Sequence, residues 1–217
     1  MAVFDLASKI TKGAVPIAFS RGNHDTRGGV ALHYDDFTPT TKMCNTYYTF
    51  RIGKLWGIIL DCGEDKVDDC KSYGGLACFE PFRRSETEFI RSVVKNAENE
   101  YEADGIEYRM VICRIPIDIE YNEFEREVYT EWISLINEIN PDVVLYGHCH
   151  KTYFVDGNTQ TRFGKLIPPA IVGADPCGDN FKGLALILSK DWYIARFTDK
   201  DKIVLDERKI SKANRRK

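Results

Sequence analysis

The chain reads as an α/β fold, and three observations predict it. Short apolar runs such as Val15–Phe19, Leu55–Leu60 and Val143–Tyr146 stop at glycines or polar clusters, as buried strands do. Stretches with apolar residues at helical spacing lie between them, around Phe89, Ile90, Val93 and Val94 and around Val128, Trp132, Leu135, Ile136 and Ile139. Beyond residue 150 the pattern changes to strand after strand with tight turns.

In chain order, Val3, Phe4, Leu6, Ala7 and Ile10 predict a helix closed by Lys12-Gly13, and Val15–Phe19 the strand after it. Thr46–Ile52 and Leu55–Leu60 form an antiparallel hairpin around Gly53-Lys54. Asp61–Gly75 is a polar loop whose Glu64, Asp65, Asp68 and Asp69 read as solvated, with attraction of a cation as the alternative. Ser85-Glu86-Thr87-Glu88 is a capping box and predicts a helix start with its charges facing water. A strand over 107–113 leads into an acidic loop carrying Asp118, Glu120, Glu123 and Glu125, and Asn140-Pro141 stops the helix that follows. The strand 142–146 comes next. Segments 152–155, 167–172, 183–188, 192–197 and 203–206 predict an antiparallel meander, and the basic tail 209–217 is expected to fray.

The 217 residues, 43% hydrophobic and 29% charged, suffice for one sizeable core, and no linker or repeat divides them, so one domain over 1–217 is expected. A net charge of −3 argues against nucleic-acid binding by bulk electrostatics, and no apolar run is long enough for a membrane span. Seven cysteines, an odd number without a Cys-x-x-Cys pair, read as free thiols and suggest the cytoplasm. A disulfide within the loop trio Cys62, Cys70 and Cys78 is the alternative.

Chemistry concentrates in two stretches, Arg21-Gly22-Asn23-His24-Asp25 and Gly147-His148-Cys149-His150, each after an apolar run. Ligands of open α/β sheets collect at the carboxyl ends of strands. Asn23 offers an amide oxygen to a cation, His24 a nitrogen for proton transfer, and Asp25 a carboxylate able to orient that imidazole. Were the backbone extended through 148–150, His148 and His150 would converge on a metal and Cys149 would point into the core.

Gly-Asn-His-Asp followed downstream by Gly-His-x-His resembles the calcineurin-like metallophosphoesterases, from Val15 to about Leu188. The resemblance implies a four-layer α/β/β/α sandwich of two mixed sheets, and hydrolysis of a phosphate mono- or diester, from a small molecule or a phosphoprotein, by metal-activated water. It implies two divalent or trivalent ions, manganese, iron or zinc, with Asn23, His148 and His150 as ligands. It makes His24 the acid or phosphate holder and Asp25 its orienter.

Two departures qualify this. The family's Asp-x-His and Gly-Asp-x-x-Asp strands do not occur ahead of Gly22, so the chain reads as a member lacking its amino-terminal strands, with an exposed sheet edge open to self-association. In Cys113-Arg114-Ile115-Pro116, Arg114 stands where the family has a metal-binding histidine. A guanidinium has no lone pair for a metal but grips phosphate in a bidentate way. Impaired hydrolysis is therefore expected, with a non-catalytic binding or scaffold protein as the alternative.

Overall fold

The computed structural model describes residues 8–29, 31–38, 46–117, 125–173, 175 and 178–215. Its centre is a six-stranded mixed sheet in the order β1-β2-β3-β4-β8-β5. The strands are β1 (Tyr48–Ile52), β2 (Leu55–Leu60), β3 (Tyr108–Cys113), β4 (Val143–Tyr146), β5 (Tyr153–Val155) and β8 (Ala170–Val172). Strands β2, β3, β4 and β8 run parallel, and β1 and β5 flank them antiparallel. A small hairpin, β6 (Thr159–Thr161) with β7 (Gly164–Leu166), lies outside this sheet. A second sheet has the order β11-β10-β9, from β9 (Gly183–Leu188), β10 (Trp192–Thr198) and β11 (Val204–Ser211).

Alternation along the parallel strands sorts the core into two layers. Val111, Cys113, Val144, Tyr146, Ala170 and Val172 pack under the helices α1 (Phe79–Lys95) and α2 (Arg126–Ile139). Met110, Val143 and Ile171 face the second sheet, against Tyr193, Ala195 and Phe197. The α/β class is as expected. Among the described residues the second sheet is wholly antiparallel rather than mixed, and α1 and α2 both cover the first sheet.

Several expectations need correction. Val15–Phe19 joins no sheet: Val15 and Ile17 are exposed, and the Tyr48 hydroxyl satisfies Phe19 by accepting from its N–H at 2.9 Å and donating to its carbonyl at 2.7 Å. An apolar run is compatible with a strand but does not supply the neighbour that makes one. The helix expected over 3–10 falls mostly outside the described residues, where a helical turn covers 8–11. Helix α1 begins at Phe79, not at the Ser85 box, because Asp68 accepts from the Phe79 and Glu80 amides (2.8 and 3.0 Å) and Pro81 is tolerated in a first turn. Its charges do not all face water: Arg83 is fully buried against Glu125, and Glu86 accepts the Asp61 amide at 2.8 Å. Asp118, Glu120 and Glu123 lie outside the described residues.

Of the five segments beyond residue 150, only the last three form a meander; β5 and β8 complete the first sheet. The basic tail is tied down. Strand β11 runs to Ser211, the Ala213 amide donates to Asp142 Oδ1 at 2.9 Å, and Arg215 pairs with the same carboxylate at 2.6 Å. Cys62, Cys70 and Cys78 are free thiols, so the trio holds no disulfide, while the Cys62 and Cys113 sulfurs lie 3.3 Å apart in the core.

Candidate functional site

The two chemistry-bearing stretches meet across Arg114. This residue follows β3 directly, and its carbonyl accepts the Gly147 amide at 3.0 Å just beyond β4. A methyl group added at Gly147 would lie 3.2 Å from Arg114 Cδ, and one added at Gly22 would lie 3.4 Å from Arg114 Nε. The guanidinium stem thus runs between the two turns in close contact with both glycines, and a side chain on either would make it shift by a few tenths of an ångström. Burial pushes the Arg114 pKa down from its ordinary value, and Asp25 opposes that by favouring the charge. The Nη1 atom is buried with no hydrogen-bond partner among the described residues.

On the Gly22 side a short 3-10 turn spans Asn23–Thr26. Asp25 closes it: its Oδ2 accepts the Gly22 amide at 2.9 Å, and its own amide donates back to the Gly22 carbonyl at 2.9 Å. Asp25 therefore holds this turn and faces Arg114; among the described residues it makes no hydrogen bond to His24, whose ring is exposed. Asn23 is 4% exposed, and its Oδ1 has no hydrogen-bond partner among the described residues. A buried amide oxygen without a donor is an open acceptor, able to take a hydrogen bond or a cation.

On the Gly147 side the extended backbone stops at Tyr146. His148 and His150 both adopt positive φ, 67° and 51°, so the two-residue alternation that would aim them together does not operate. His148 is partly buried with Nε2 3.6 Å from Asp65 Oδ2, whereas the more exposed His150 places Nδ1 3.7 Å from Asp175. Burial lowers the His148 pKa, and the charge of Arg114 lowers it further against the pull of Asp65. That imidazole is held neutral. Cys149 packs against the main core.

The loop after β2 is part of the site, contrary to its solvated appearance. Glu64 is 2% exposed and accepts from Arg27 Nε (2.5 Å) and Nη2 (2.7 Å), from Thr26 Oγ1 (2.8 Å) and from the Tyr73 hydroxyl (3.3 Å). Burial alone would raise the Glu64 pKa, but the hydrogen bonds from Arg27 and Thr26 outweigh it and hold the carboxyl below its ordinary range. Asp65 bridges Lys66, Tyr73 and His148. Beside them Arg21 pairs with buried Asp61 at 2.7 Å. The loop latches the first turn to His148. Its one legible signal is position, since Glu64 and Asp65 follow a parallel strand at its carboxyl end.

With this geometry in place, the comparisons with known proteins are specific. The sequence matches the family described as calcineurin-like phosphoesterase over residues 2–152. The chain belongs to that family. A similar solved structure is a purple acid phosphatase from yellow lupin (Lupinus luteus) seeds, with a TM-score of 0.49 and 14% identity over 84% of this chain and 35% of that one. This chain thus spans about a third of that relative's length. No curated protein matches the sequence.

Phosphoesterases of this family generally use a dinuclear metal centre, and the described residues fit one poorly. No three His, Cys, Asp or Glu side chains among them converge as metal ligands. The orphaned Asn23 Oδ1 is a suitable donor, but the cationic stem of Arg114 lies between its turn and that of His148. A fixed positive charge at that crossing opposes a second cation.

Proposed function

We propose that the chain is a phosphoesterase-family protein that binds a phosphate ester, of a small molecule or a phosphoprotein, while metal-assisted hydrolysis is impaired. The observation that carries this is Arg114, half-buried between the Gly22 and Gly147 turns with its Nη1 atom without a hydrogen-bond partner among the described residues. A guanidinium there presents parallel N–H groups to two phosphoryl oxygens and supplies in permanent form part of the charge that a metal ion otherwise brings. His148 lies within electrostatic reach of Arg114, and in this reading the Asn23 oxygen, unpartnered among the described residues, serves the same ligand. In this reading the exposed His24 bonds a phosphoryl or leaving-group oxygen. His150 is the remaining expected ligand, and it is the one least enclosed.

Titration calorimetry with inorganic phosphate and turnover of 4-nitrophenyl phosphate with manganese test the reading together. The expected result is saturable phosphate binding, turnover near background, and a gain of both metal binding and hydrolysis in Arg114→His. Manganese-dependent turnover that Arg114→Ala leaves unchanged would overturn it. Metal uptake by Arg114→His with no turnover would favour the purely binding, scaffold role.

A further inference from the structure

Two thiols that the site does not use lie in contact beside it. Cys62 stands two residues past β2, and Cys113 is the last residue of β3. Both are buried free thiols, and their sulfurs are 3.3 Å apart. The Ile115 carbonyl is within reach of both, at 3.2 Å from Cys113 Sγ and 3.8 Å from Cys62 Sγ. One S–H can thus donate to the neighbouring sulfur and the other to that carbonyl, which holds the two sulfurs face to face. A disulfide bond is about 2 Å long, so an approach of little more than about 1 Å separates this dithiol from one.

The two ends of that contact are not equally firm. Cys113 is in the ladder on both sides, opposite Leu60 of β2 and Tyr146 of β4. Cys62 is outside the ladder, and Arg83 Nη1 holds its backbone by donating to the Cys62 carbonyl at 2.8 Å and to the Glu64 carbonyl at 3.3 Å. Gly63 between them takes a left-handed φ of 66°. Closing a bond therefore moves Cys62 rather than Cys113, and the displacement passes along the chain to Glu64 and Asp65. Those are the residues that latch Arg27 and His148. Cys113 for its part precedes Arg114, so the dithiol ties together the two parts of the candidate site.

We propose that Cys62 and Cys113 form a reversible disulfide on reaction with a peroxide, and that the bond loosens the latch made by Glu64 and Asp65. The Cys62 thiolate attacks the O–O bond of hydrogen peroxide; one oxygen stays on sulfur as S–OH, and the other leaves as hydroxide and takes up the Cys62 proton. The Cys113 sulfur then displaces the hydroxyl, which departs as water with the Cys113 proton. The two sulfurs lose two electrons between them, and the peroxide becomes two waters. Cys62 reacts first because it borders the loop beside the Arg83 guanidinium, whereas its hydrogen bond with Cys62 and its burial push the Cys113 thiol up and keep it protonated. A dithiol reductant returns the two electrons and restores the latch. The bond and the loop movement stand apart from phosphate binding; only the effect on affinity rests on the function proposed above.

The test uses the whole chain, hydrogen peroxide and peptide mass mapping without reductant. Trypsin frees Cys62 in the peptide 55–66 and Cys113 in the peptide 110–114, each without a second cysteine, so the linked pair has a mass of its own. The expected result is that linked mass, its loss in dithiothreitol, faster hydrogen exchange over 63–65 in the oxidised chain, and inorganic phosphate binding weaker by about threefold or more. Cys62→Ala should make both exchange and phosphate affinity indifferent to peroxide. Oxidation of the exposed Cys78 while Cys62 and Cys113 remain thiols would overturn the proposal without any variant having to fold. So would linkage of either to another cysteine, or a bond between them that leaves exchange over 63–65 unchanged. A reduced chain that takes up no phosphate would count against the phosphate reading alone, and the linked mass with the loop exchange would still decide the switch.

Discussion

Asp142 and Arg114 sit at opposite ends of the same parallel strands and treat their polar atoms in opposite ways. Asp142, at the start of β4, is 2% exposed, and each carboxylate oxygen has a partner: Oδ2 accepts the Arg109 amide at 2.9 Å, and Oδ1 takes the Ala213 amide and the Arg215 guanidinium. Its carbonyl also accepts the Tyr193 hydroxyl. Arg114, just past the end of β3, is left with a buried Nη1 that bonds nothing described, and Asn23, one residue on from the Gly22 that Arg114 touches, has an oxygen in the same state. A carboxylate so fully answered from its own chain is structural, whereas the buried Arg114 Nη1 and Asn23 Oδ1, without partners among the described residues, are what motivates the proposed binding site.

The largest expected effect breaks the structural end. Asp142→Ala strands the Arg215 charge and two amides, and should cost about 3 to 5 kcal/mol in denaturant unfolding while leaving phosphate affinity intact in the folded fraction. A loss under about 1 kcal/mol would show that the carboxylate is not the anchor described here. Next, Arg114→Ala should weaken inorganic phosphate binding at least tenfold, about 1.4 kcal/mol, with a smaller change in unfolding free energy. If stability falls more than affinity, the two ends are alike and the contrast fails.

The smallest effect sharpens the picture at the loop. The folded-state pKa of Glu64 is depressed, so its contribution is present above the ordinary carboxyl value and is lost as pH falls through the folded one. Glu64→Gln should cost about 1 to 2 kcal/mol at neutral pH and flatten the acid limb of the stability profile below about pH 4.5. Parallel acid limbs in the two proteins would place the titration elsewhere.

Much of the fold was legible because burial leaves a period. Strands β2, β3 and β4 and the apolar stripe of α2 follow from alternation and helical spacing alone. Val15–Phe19 misled because pairing depends on a neighbour, and no run of residues encodes its neighbour. In the site, Asn23 could be picked out by residue type and place and Arg114 by its departure from the family motif, and the structure brings Arg114 against the Gly22 turn. The aim of His148 and His150 could not, since their left-handed backbone is a property of the turn after β4 rather than of the strand. Nor could the latch formed by Glu64: an acidic loop looks solvated until Arg27, thirty-seven positions earlier, closes over it.

The strap from Lys212 to Arg215 has a practical consequence for anyone handling this protein. Arg215 reaches back to the Asn140 and Glu107 carbonyls, so the segment that follows β11 is fastened to the start of β4 and the approach to β3. Replacing Arg215 with alanine should therefore loosen the start of β4 and lower the yield of soluble material.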